Sequence, residues 1–196
     1  MKLENEIIIV LGKKGHGKSS LIKKRIKDLP RYVVFDPKME YSKGTIFEDF
    51  GSFLMFMERN YKGRYHAVCR FGNDEEYIRA VDLINETGNT TAIIEELYFF
   101  LNVRSKPDSF DRLFRYGRHE RINIIAINQR ASEIPRHFTS QADKIISFKQ
   151  TEPADLKYLR DTSYIGKEGA ERVSNLKKFN GKGEIIEGTH FIVFIS

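Results

Sequence analysis

An α/β fold with a mostly parallel sheet and helices on both faces is predicted by two features of this sequence. Short apolar runs alternate with stretches of helical periodicity, and the first run, Ile7-Ile8-Ile9-Val10-Leu11, leads directly into Gly12-Lys13-Lys14-Gly15-His16-Gly17-Lys18-Ser19. Alternation favours parallel strands because each parallel connection needs a crossover, which a helix supplies. The glycine-rich segment fits G-x-x-x-x-G-K-[ST], a phosphate-binding loop, between the strand and the helix that such a loop requires.

Each element follows in order. Gly12, Gly15 and Gly17 lack the Cβ that would keep phosphate oxygens from the backbone N–H groups. Lys18 and Ser19, with Ser20 behind them, open a helix whose positive dipole end faces the same anion. His16 is either a phosphate contact or a spacer. Pro30 ends the helix, and Tyr32-Val33-Val34-Phe35 begins a buried strand that stops at Asp36-Pro37. Residues 51–59 read as helix and 66–71 as strand. Residues 74–86 carry apolar side chains at 77, 78, 81 and 84, which is helical spacing, with Asp74 in the cap region. Strands follow at 91–94 and 122–127, with a short helix at 108–116 between them. Residues 144–148 read as strand and 153–160 and 166–176 as helices. The chain closes on a C-terminal β-hairpin, with 184–186 paired to 191–195 through a turn at Gly188-Thr189.

Composition sets outer bounds. A length of 196 residues supports one sizeable core, so residues 1–196 are read as a single domain. No apolar run approaches the length of a membrane span and no secretory leader opens the chain, so a cytoplasmic protein without membrane insertion is expected. The single cysteine, Cys69, is expected as a buried strand residue in a reducing compartment. A net charge of +6 permits an anionic partner beyond a nucleotide.

A phosphate loop calls for a divalent ion to neutralise the β- and γ-phosphates, and Ile93-Ile94-Glu95-Glu96 supplies carboxylates at the end of a buried strand. Glu95 is read as holding Mg²⁺ together with Ser19. Glu96 is read as general base or water-positioner, which implies hydrolysis of ATP.

Two further stretches carry a family resemblance. Asp36-Pro37-Lys38-Met39-Glu40-Tyr41 resembles the D-P-K-G-E-Y stretch of the HerA and FtsK superfamily of P-loop ATPases, with Met39 in place of glycine. The stretch from Gly117-Arg118 through Ile122 to Asn128-Gln129-Arg130 is similar to that superfamily's G-R-x-x-x-I-x-x-x-x-x-T-Q-R block, with Asn128 in place of threonine. The resemblance spans about residues 5–150. It implies a RecA-like (ASCE) P-loop NTPase and, given the short chain, resembles viral genome-packaging ATPases.

What the resemblance implies is carried residue by residue. Gln129 matches the polar sensor of the γ-phosphate or attacking water. Arg118 matches the arginine finger that reaches into a neighbour's nucleotide site, with Arg115 as second choice and Arg121 as third. A finger supplied in trans implies a homo-oligomeric ring, pentamer or hexamer, acting on double-stranded DNA, with a portal or capsid vertex protein as a further partner. Arg104 and Lys106 stand in a candidate pore loop for DNA phosphates, or in an ordinary exposed loop. Two other classes stay open: a small nucleotide or nucleoside kinase, which the adjacent acids argue against, and a non-catalytic nucleotide-dependent assembly protein.

Overall fold

The structure, a computed structural model, describes residues 5–101 and 108–196. In chain order its elements are β1 (Ile7–Leu11), α1 (Lys18–Ile26), β2 (Arg31–Phe35), β3 (Thr45–Phe47), α2 (Phe50–Asn60), β4 (Tyr65–Cys69), α3 (Asp74–Thr87) and β5 (Thr91–Ile94). Then come α4 (Leu97–Leu101), α5 (Asp108–Tyr116), β6 (Asn123–Asn128), α6 (Arg136–Thr139), β7 (Lys144–Phe148), α7 (Pro153–Arg160), α8 (Gly166–Asn175) and β8 (Phe191–Ile195). The strands are mostly parallel, as the alternation predicts. They belong to two compact units, one from Met1–Ile7 and Ile26–Ala126, the other from Ile8–Arg25 and Ile127–Ser196.

In the first unit the strand order is β3-β4-β2-β5-β6, all parallel. Register pairs Val34 with Val68 on one side and with Ile93 on the other, so β2 is buried on both edges and both faces. Its apolar run reads accordingly, without alternation. Phe35 anchors an aromatic cluster with Tyr77 and Phe100, and Phe100 stacks on Phe110 at 5.1 Å between centroids. Such pairs add about 0.5–1.5 kcal/mol each beyond the area they bury. The cap of α3 is Asn73, one residue before the expected Asp74: its side chain accepts from the Glu76 N–H at 3.0 Å. Asp74, Glu75 and Glu76 fill the first turn, where the dipole favours anions.

In the second unit β1 is fully buried and pairs parallel with β7, and β8 pairs antiparallel with β7. An antiparallel C-terminal strand pair is therefore present, but its partners differ from the expected ones. All five residues of β8 pair with β7, from Lys144 with Ile195 to Phe148 with Phe191. Residues 184–186 are not a strand. The segment from Ile186 to His190 closes on itself, with the His190 N–H donating to the Ile186 carbonyl at 2.8 Å, and Ile186 is exposed. A five-residue ladder on an existing strand outcompetes a ribbon of three residues, which is marginal in water.

Candidate nucleotide site

The second unit carries the phosphate loop. Its start is tied down by the Gly12 N–H, which donates to the Asn128 carbonyl at the end of β6 at 3.2 Å. The three loop glycines have different reasons to be glycine. A Cβ on Gly12 would lie 2.6 Å from the Phe148 Cβ, and one on Gly17 would lie 3.0 Å from both Phe179 and Ile185. Gly15, at φ +76°, faces open space. At Gly12 and Gly17 the missing Cβ also makes room for the protein's own side chains.

Lys18 is buried, and its Nζ donates to the Lys13 carbonyl at 3.3 Å, which curls the ammonium over the loop. Lys13 reaches the other way, to Glu152 Oε1 at 2.7 Å and to Thr151 Oγ1 at 3.0 Å just beyond β7. Lys13 holds the Glu152 carboxyl below its ordinary pKa by this hydrogen bond and by its charge. The pair is exposed, so solvent screens it and it adds little to the stability of the fold. His16 is buried, and burial first, then the charges of Lys178, Lys18 and Lys13, lower its pKa. Ser19 and Ser20 lie in the first turn of α1, Ser19 half-buried and Ser20 exposed. Gln129 follows β6, and the fully buried Gln150 donates from Nε2 to its carbonyl at 3.2 Å. Asn128, where the family has threonine, is fully buried and donates from Nδ2 to the Arg130 carbonyl at 2.8 Å, so it shapes the turn.

The first unit carries the acids. Glu95 follows β5 and is 3% exposed; its N–H donates to the Phe35 carbonyl at 3.1 Å, and its Oε1 accepts from the Tyr41 hydroxyl at 2.8 Å. Glu96 has φ +55°, the left-handed region that a glutamate adopts at a cost of about 1–3 kcal/mol. Strain of this kind concentrates at functional positions. Asp36, fully buried, accepts from the Glu40 N–H at 2.8 Å, the Tyr41 N–H at 3.0 Å and Arg70 Nε at 3.1 Å. Arg70 also donates from Nη2 to the Tyr41 carbonyl. Burial, with the neighbouring charges of Glu95, Asp36 and Glu40, pushes the Tyr41 hydroxyl well up, so it stays a donor. Tyr41 and Arg70 were missed in the sequence; the only signal was Tyr41's place in the D-P-K-x-E-Y stretch.

The arginine group lies on α5 and the turn after it. Arg115 pairs with Asp111 one turn back at 2.8 Å, and Arg118 is exposed in the turn. The glycine of the Gly-Arg pair is required by packing, since a Cβ on Gly117 would lie 2.4 Å from the Leu113 carbonyl oxygen. Arg104 and Lys106 lie outside the described residues.

The loop of the second unit suits a polyphosphate, and the acid at the end of β5 in the first unit suits a hard cation. Backbone N–H groups, an ammonium and a helix N-terminus fit a polyphosphate, and the Ser19 hydroxyl and Glu95 carboxylate are hard oxygen donors. Among the described residues no cluster of three or more His, Cys, Asp or Glu stands ready to hold a metal. Mg²⁺ takes one or two carboxylates and completes its shell with water and substrate phosphate.

In its fold and its phosphate-loop motif the chain is similar to P-loop NTPases of known structure. The chain is similar to the genome packaging NTPase B204 from Sulfolobus turreted icosahedral virus 2 in complex with ATP-gammaS, at TM-score 0.75 and 26% identity, over 99% of this chain and 93% of that one. B204 from Sulfolobus turreted icosahedral virus, a DNA-packaging ATPase, shares the fold at TM-score 0.64 and 24% identity over 89% of each chain. VirB4 of Thermoanaerobacter pseudethanolicus shares it at TM-score 0.63 and 12% identity, over 96% of this chain and 88% of that one. No protein-family model matches the chain, and no curated protein does. Among the described residues no helix is long and apolar enough to cross a membrane.

Proposed function

We propose that the chain is an ATP-hydrolysing motor that moves double-stranded DNA, of the kind that fills viral capsids. The observation that carries this reading is the two-way, nearly full-length similarity to the packaging NTPase B204 in complex with ATP-gammaS. The 196 residues act as one ATPase domain. A homo-oligomeric ring, pentamer or hexamer, works in the host cytoplasm or at the capsid vertex, against a portal or vertex protein.

The loop N–H groups from Gly12 to Ser20, with Lys18, bind and orient the triphosphate, and His16 lines the loop. Ser19 and Glu95 would hold Mg²⁺, which when bound neutralises charge on the β- and γ-phosphates. Glu96 takes a proton from the attacking water as its oxygen bonds to the γ-phosphorus; the bond to the bridging oxygen breaks and ADP leaves. Gln129 orients that water or the γ-phosphate through its amide. Arg118, and after it Arg115, serves the neighbouring subunit's nucleotide; both are exposed, and a guanidinium stays charged and can bind two phosphate oxygens at once. Arg104 and Lys106 grip DNA phosphates without reading sequence.

The test is hydrolysis measured with and without duplex DNA. Glu96→Gln should bind nucleotide and lose turnover, and Arg118→Ala should lose about a thousandfold or more while binding normally. Mixing the two variants should restore part of the activity through complementary interfaces. Full hydrolysis by Glu96→Gln would remove Glu96 as the base, and phosphoryl transfer to an acceptor other than water would make the protein a kinase.

A further inference from the structure

We infer that Tyr41 is a positioning residue for Glu95, its hydroxyl fixing the orientation in which that carboxylate meets the divalent ion of the nucleotide. The inference rests on the reading of Glu95 as the acid that serves the ion.

The case begins with burial. A carboxylate as enclosed as Glu95 is costly unless donors satisfy it, and the Tyr41 hydroxyl stands 2.8 Å from its Oε1. The tyrosine ring is itself buried, so the donor cannot swing into solvent. Its backbone is fixed at both polar atoms. The N–H is held by Asp36 Oδ2 at 3.0 Å, and the carbonyl is held by Arg70 Nη2. Arg70 is anchored in turn on Asp36, Nη2 to Oδ2 at 3.0 Å.

The two ends of the arrangement also meet through the main chain. The Glu95 N–H donates to the carbonyl of Phe35, the residue before Asp36, so β2 and β5 deliver Asp36 and Glu95 side by side in register. The hydroxyl of Tyr41 therefore has a fixed origin and a fixed target. A core-filling role alone would need a ring here but not a hydroxyl. Phenylalanine would fill the same volume, whereas the oxygen is spent on the acid that the loop chemistry needs. Groups that orient metal-serving side chains in this way typically change metal affinity by about 10–100-fold when removed.

The test uses Tyr41→Phe, which keeps the ring, in the full chain. Binding of a fluorescent, non-hydrolysable ATP analogue is titrated with Mg²⁺, and nucleotide affinity is measured again in chelator without the ion. The Mg²⁺ concentration for half-effect should rise about tenfold, with nucleotide affinity in chelator unchanged. Adding Tyr41→Phe to Glu95→Gln should shift the midpoint no further, because the hydroxyl acts through that carboxylate. Glu95→Ala separates the two layers of the argument. If it leaves the Mg²⁺ dependence untouched, the reading of Glu95 falls and the positioning role falls with it. If Glu95→Ala shifts the midpoint and Tyr41→Phe stays within twofold of wild type, the positioning role alone is overturned. Should Tyr41→Phe fail to fold, Arg70→Lys, which loosens the Tyr41 carbonyl and leaves the ring intact, must raise the midpoint in the same sense; no movement there overturns the inference.

Discussion

Replacing Asp36 with alanine removes the anion on which one turn of the first unit is organised. Its carboxylate accepts from the Glu40 and Tyr41 N–H groups and from Arg70, all at 2.8–3.1 Å. Asp36 is fully buried and the Arg70 side chain is 17% exposed, so the variant strands a guanidinium with little water to replace its partner. Breaking a buried pair from one side costs about 3–5 kcal/mol, and Arg70's residual exposure places this case near about 3. For a chain of this size that cost corresponds to a melting temperature lower by roughly 6–12 °C. Asp36→Asn keeps an acceptor and loses the charge, so a cost of about 1.5–3 kcal/mol is expected. Denaturant unfolding followed by circular dichroism measures both. The double variant Asp36→Ala with Arg70→Met should be more stable than Asp36→Ala alone, since the stranded charge is gone. A loss below about 1 kcal/mol for Asp36→Ala, or a double variant no better than the single, would refute the assignment of the pair as the organising contact.

Three more outcomes are expected. The folded pKa of His16 lies below 6.5, so stability is full above 6.5 and is lost as pH falls through the folded value, where the unfolded chain is already protonated. His16→Asn should lose less stability on acidification below pH 6.5 than wild type does; parallel curves would count against the assignment. Met39 sits at φ +56° and is 71% exposed, so Met39→Gly should gain up to about 1 kcal/mol and Met39→Ile should lose stability. Equal stabilities for the two would dismiss the strain. Burial pushes the Cys69 thiol well up, so iodoacetamide should label it only in denaturant; rapid labelling of the native protein would show that the site opens.

Much of the fold is legible because it is written locally. The buried strands β1 and β5, and β2 from Tyr32 on, show long apolar stretches, and the phosphate loop has a fixed spacing. β3 escaped because it is three residues long with Thr45 and Ile46 exposed, too short to show a period. The terminal pairing was misassigned because strand propensity marks 191–195 as a strand and says nothing of which edge it will join. The contacts that hold the acids were illegible for a related reason. Asp36 meets Arg70, and Tyr41 meets Glu95, across 34 and 54 residues of intervening chain, and no periodicity reports a pair formed over that distance. Met39 shows the reverse: its departure from the family's glycine was visible, and its left-handed backbone supplies the reason glycine suits the position.

The Asp36, Tyr41, Arg70 and Glu95 linkage bears on how this protein can be rebuilt. Each of the four side chains takes its position from another, so none is an independent module. A chimera that grafts the acid-bearing strand of a relative into this chain would import a carboxylate without its anchor, and an exchange of the 36–41 turn alone would leave Arg70 facing the wrong backbone. Transplants between relatives should succeed when β2 with its following turn, the end of β4 and the end of β5 move together, and should lose stability when any one is left behind.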